Sequence, residues 1–129
     1  MNVKSARRAA EFVRCCSFDP QGRLEVAIVP GHDAKLYQVQ FSRAKDRLIV
    51  GGCVNPDEGE VCKGHRHNLC FHALAALICA ADKKGLRLIF CSTKEKAECI
   101  AQLGGVLVEI VSRASHKGGW VIYRSKKKK

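Results

Sequence analysis

The chain has 129 residues, 47% of them hydrophobic, and a formal net charge of +11. That length suits one domain with a core of its own. No apolar run approaches the roughly 20 residues that span a bilayer, and the segment Met1–Arg8 lacks the apolar stretch of a secretory signal. The expectation is therefore an intracellular protein, cytoplasmic or nuclear, with no membrane partner.

The charge is unevenly placed. Residues 1–16 sum to +3 and residues 113–129 to +7, while the long middle, 17–112, sums to only +1. Basic ends on a balanced body suit contact with a polyanion, of which nucleic acid is the commonest. Eight cysteines in a chain of this kind are not read as a disulfide framework. Cys79, Cys91 and Cys99 lie among apolar residues, where a thiol acts as a small hydrophobe. Cys15 and Cys16 adjoin each other at the end of a helical pattern. Only Cys53, Cys62 and Cys70 share a neighbourhood with Gly, Pro, charged residues and His.

In chain order, residues 4–16 predict an amphipathic helix with Ala6, Ala9, Ala10, Phe12 and Val13 inward and Arg7, Arg8, Glu11 and Arg14 outward. Residues 17–22 predict a turn. Three strands follow, at 24–29, 36–41 and 47–50, the last ended by Gly51-Gly52. Residues 54–68 read as a long polar loop, of a length that needs a reason inside a compact domain. A buried helix spans about 69–82. Leu86–Cys91 is a continuous apolar run suited to a central strand. Ser92-Thr93-Lys94-Glu95 has the pattern of a capping box opening a helix to Leu103. Strands at 106–112 and 120–124 close the domain at residue 125, and 126–129 form a disordered basic tail. The fold class is α+β: a mixed or antiparallel sheet of about six strands with about three helices and a central zinc-binding loop.

Cys53, Cys62, His65, His67, Cys70 and His72 fall within twenty positions. Such a density of thiol and imidazole is the composition of a closed tetrahedral zinc site. Cys70 and His72 are two apart, so inside a helix they would not share a face. They can meet on one ion only where Cys70 sits at or just before the first turn. The positive end of the helix dipole also favours a thiolate there.

These residues carry a resemblance. A strand containing Tyr37-Gln38-Val39, a second strand leading into Cys53, a polar loop, and then Cys70-Phe71-His72-Ala73-Leu74-Ala75 resemble a SWIM zinc finger over residues 36–82. That family's pattern is C-x-C, a variable loop, and C-x-H opening a helix. The resemblance implies that Cys53, Cys70 and His72 are zinc ligands. The second cysteine position is Asn55, a poor zinc ligand, so another residue must complete the set. Cys62 is the first choice, followed by His65 and then His67.

Surplus ligands point to a structural ion and away from catalysis. The deaminase signature H-x-E with P-C-x-x-C is absent. Glu58 or Glu60 beside a three-ligand zinc, or Cys62 with His65 as nucleophile and base, are the arrangements an enzyme would need. The expected function is zinc-stabilised binding of nucleic acid, DNA ahead of RNA, through phosphates. Lys63 and Arg66 on the zinc loop, Arg7, Arg8 and Arg14 on the first helix, and Arg124, Lys126 and Lys127 in a basic arm are the candidate contacts. Aromatic residues make up 6% of the chain and none reads as an exposed stacking platform, which favours backbone contact over base contact. The resemblance also implies a second reading, a protein-interaction module of a DNA-repair, recombination, transposition or ubiquitin-transfer assembly.

Overall fold

A computed structural model of the chain describes residues 3–31, 35–44, 47–62, 70–113 and 116–125. Among them are three helices, α1 (Val3–Ala10), α2 (Phe71–Lys83) and α3 (Lys94–Gln102). Eight strands accompany them: β1 (Cys15–Phe18), β2 (Leu24–Pro30), β3 (Leu36–Ala44), β4 (Arg47–Asn55), β5 (Glu60–Val61), β6 (Leu86–Cys91), β7 (Val106–Ser112) and β8 (Gly118–Ser125). They form one mixed sheet in the order β1-β2-β3-β4-β7-β8-β6, with β5 paired to the far end of β4. Every pairing is antiparallel except that of β4 with β7. The fold is α+β.

The helices divide between the two faces. α1 packs chiefly on α2, and α2 lies across β2, β3, β4 and β6. Nearly every residue of α2 from His72 to Ala81 is buried, as expected of a helix that is apolar on all sides. Its alanines allow a close approach to Ala6 and Ala10 of α1, both buried. α3 covers the opposite face, over β6, β7 and β8.

The sequence expectations need four local corrections. The first helix stops at Ala10 and does not reach residue 16. Val13 and the Cys15-Cys16-Ser17 stretch are poor helix formers, and β1 instead pairs with β2, Cys15 opposite Ile28. Phe12 lies beyond that helix and is 64% exposed. β6 is an edge strand, not a central one. Its apolar run reflects cover on both faces: Leu88 belongs to the core under α2, while Cys91 belongs to the smaller core under α3. Thr93 is the N-cap of α3 but makes no side-chain capping bond, so the capping box does not form.

The fourth correction concerns Gly51-Gly52, which does not end the third predicted strand. β4 continues through it to Asn55. The ladder with β3 slips there: Gln40 faces Gly52, but Phe41 faces Val50, leaving Gly51 as the extra residue of a β-bulge. A strand alternates faces with period two, so a one-residue slip reverses which side chains point inward. Leu48 and Val50 are buried before the bulge, and Cys53 and Asn55 are buried after it. Gly51 thus turns Cys53 onto the same side as α2.

Candidate metal centre

Three segments converge where β4, β5 and α2 meet. Cys53 is near the end of β4. Asn55 then turns the chain: its side-chain oxygen accepts the backbone N–H groups of Asp57 and Glu58 at 2.9 and 3.0 Å. Its carbonyl accepts the N–H of Gly59 at 2.7 Å. Gly59 adopts φ +71°, a conformation costly for residues with a side chain. The chain returns as β5, Val54 pairs with Val61, and the Cys62 N–H donates to the Cys53 carbonyl at 2.9 Å. The two cysteines therefore face each other across a tight hairpin. Lys35, just ahead of β3, pins the turn from outside through ion pairs to Glu58 and Glu60 at 2.9 and 2.8 Å. Its ammonium pKa is raised by the hydrogen bond to Glu58 and then by that to Glu60.

The other two donors come from α2. Cys70 is its N-cap residue, with extended backbone at φ −77° and ψ 159°. It stands just outside the first turn, the placement that the Cys70–His72 spacing requires. His72 is held between two rings, stacked on Tyr37 at 4.5 Å and against Phe71 at 4.1 Å between centroids. This packing aims Nδ1 at the thiols. It lies 3.5 Å from Cys53 Sγ and 3.4 Å from Cys62 Sγ.

All four residues are buried, and their donor atoms lie within 4.8 Å of one another. Zinc bonds of about 2.3 Å to sulfur and about 2.0–2.1 Å to nitrogen, at tetrahedral angles, give a sulfur–nitrogen edge of about 3.6 Å. The two measured edges match that length. Three thiols and an imidazole could hold a metal ion here, and the soft donor set suits zinc. His72 Nε2 is buried with no hydrogen-bond partner among the described residues, so the Tyr37 and Phe71 rings orient the imidazole in place of the outer-shell acceptor that metal-bound histidines usually have.

The electrostatics point the same way. Hydrogen bonding with Cys62 and then Cys70, together with burial, pushes the Cys53 thiol far above its ordinary range. For Cys70, the bond from Cys53 lowers the pKa, but Cys62 and burial outweigh it and leave the thiol pushed up to about 12. Clustered thiols cannot ionise together without a cation among them. This sets a pH test with opposite signs in the two states. Without metal, the fold favours protonated Cys53 and Cys70, whose ordinary value is 9.0. Their contribution is complete below about pH 9 and is lost as pH climbs toward 12. With metal bound, thiolates and neutral imidazole are required, so stability is lost as pH falls. Melting curves with and without chelator should therefore bend at opposite ends of the pH scale.

The basic residues are more scattered. The Arg7 Nη2 group donates to the Leu88 carbonyl at 3.1 Å and ties α1 to β6. Arg8 is exposed in the last turn of α1, and Arg14 is exposed in the link to β1, so Arg7, Arg8 and Arg14 do not share one helix face. Arg124 belongs to β8, opposite Arg87 of β6, and not to a basic arm. Lys63, His65, Arg66, His67, Lys126 and Lys127 lie outside the described residues. Sequence reasoning missed the exposure of Phe12. Its signal was the run Glu11-Phe12-Val13-Arg14, where helix period and helix propensity part company.

Among the described residues, no helix is long and apolar enough to cross a membrane. Comparison with protein families, with characterised proteins and with solved structures finds no match for this chain.

Proposed function

We propose that the chain is a zinc-stabilised nucleic-acid-binding protein whose metal centre is a variant of the SWIM pattern. In it a cross-strand Cys53–Cys62 pair takes the place of C-x-C. The observation carrying this reading is the buried Cys3His cluster, with sulfur–nitrogen edges of 3.4 and 3.5 Å. The ion is structural: all four donors are protein side chains, leaving no open position for substrate. Lys35 pairs with both nearby carboxylates that an enzyme would need as base. Function then falls to the surface, where charge of +11 is concentrated at the two ends of the chain. Contacts to phosphate oxygens provide affinity with little sequence choice.

Anisotropy titrations against labelled duplex and single-stranded DNA and RNA at rising salt test this. Expected is binding whose log affinity falls linearly with log salt, by about 0.7–0.9 per phosphate neutralised. Deleting residues 126–129 should flatten the slope. Retention of a protein partner that ignores salt, with no binding to any nucleic acid, would replace this reading with the protein-interaction one.

A further inference from the structure

A cavity of about 490 Å³ opens between α1 and the start of α2. Arg8 and Ala9 of α1, Phe12 and Arg14 of the following link, Pro30, Gly31 and Phe71 line it. Its size is that of a small-ligand site. Two features set it apart from an ordinary surface hollow. Phe12 presents a ring 64% exposed at its rim, a placement that costs apolar surface unless something covers it. Arg8 and Arg14 line the cavity together with that ring, and no carboxylate lines it among the described residues. Neither guanidinium has an ion-pair partner among the described residues. The Phe71 side is firm, because that ring packs on His72 of the metal centre.

A flat apolar ring sharing a cavity with two guanidinium groups that have no ion-pair partner among the described residues matches one ligand chemistry closely. That ligand has a planar ring system with anionic oxygens on either side. Bases stack on aromatic side chains whatever their identity, and flanking arginines take the phosphates. We propose that this cavity receives an unpaired nucleotide of a single strand, its base on Phe12 and its adjoining phosphates on Arg8 and Arg14. The proposal rests on the nucleic-acid reading and sharpens it. It also reverses the expectation that the chain lacks an exposed stacking ring, and with it the preference for backbone contact over base contact.

Labelled dT12, rU12 and a 12-mer duplex, titrated into the full metal-loaded chain by anisotropy, provide the test. Phe12→Ala removes an exposed ring and leaves the core untouched, so the variant folds. It should weaken single-strand binding about 5- to 150-fold, the range for loss of one stacked base, and leave duplex binding within about twofold. Arg8→Gln with Arg14→Gln should weaken single-strand binding and lower its salt slope by about 1.4, two phosphates' worth. The tighter of dT12 and rU12 identifies the source of the nucleotide. Single-strand binding that survives Phe12→Ala unchanged overturns the cavity proposal while the nucleic-acid reading stands. Absence of binding to all three probes overturns both. Capture of an acidic aromatic peptide that Phe12→Ala abolishes, with single strands unaffected, assigns the cavity to protein and also overturns the proposal.

Discussion

Chelating the metal should lower the melting temperature by on the order of 15 °C. An ion present at about a thousand times its dissociation constant stabilises a fold by about 4 kcal/mol, and a chain of this size shifts by a few degrees per kcal/mol. Cys53→Ser and His72→Ala should each reproduce that loss and leave less than one equivalent of zinc by elemental analysis. Cys91→Ser is the control. Cys91 is as buried as the ligands but belongs to the core under α3, so its variant should lose stability and keep its zinc. Melting curves that do not respond to chelator would remove the metal from this account.

The second large effect concerns a residue that ligates nothing. Inserting an alanine between Gly52 and Cys53 adds a residue that the bulge at Gly51 does not absorb, and moves every later residue of β4 by one position against β3. Cys53 and Asn55, 1% and 3% exposed, would then turn to the face away from α2, and the hairpin carrying Cys62 would go with them. The expected outcome is loss of the bound metal with much of the sheet's circular dichroism retained. Gly51→Ala isolates the cause. A methyl group there would meet only the Gln40 carbonyl, at 3.6 Å, an ordinary contact, so that variant should keep its metal. Full zinc content in the insertion variant would show that the register of β4 against β3 does not set the orientation of Cys53.

The bulge also marks where the sequence misleads. Gly51-Gly52 looks like a strand end, because glycine weakens strands and begins turns. Nothing local distinguishes an end from a bulge; the slip exists only relative to β3. The same holds for β6, whose apolar run reports two covered faces and cannot report strand order. By contrast, the placement of Cys70 outside the helix follows from residue spacing alone. The hairpin that carries Cys62 lies inside the stretch 54–68 that reads as a polar loop, because β5 has only two residues and shows no strand period. In the structure Cys53-Val54 runs opposite Val61-Cys62 around a turn at residues 56–59. An antiparallel ladder closed by that turn must set one cysteine across from the other, and this accounts for Cys62 as the fourth donor.

The lone parallel pairing, β4 with β7, spans four residue pairs from Arg47 opposite Glu109 to Val50 opposite Ser112. Among the described residues it is the only ladder joining the antiparallel group β1-β2-β3-β4 to the group β7-β8-β6. α2 lies over both groups on one side, and the Cys53–Cys62–Cys70–His72 cluster fastens its first turn to β4. The molecule is thus hinged along a narrow seam with a bolt at one end. Losing the bolt would loosen the two halves from each other before either half comes apart.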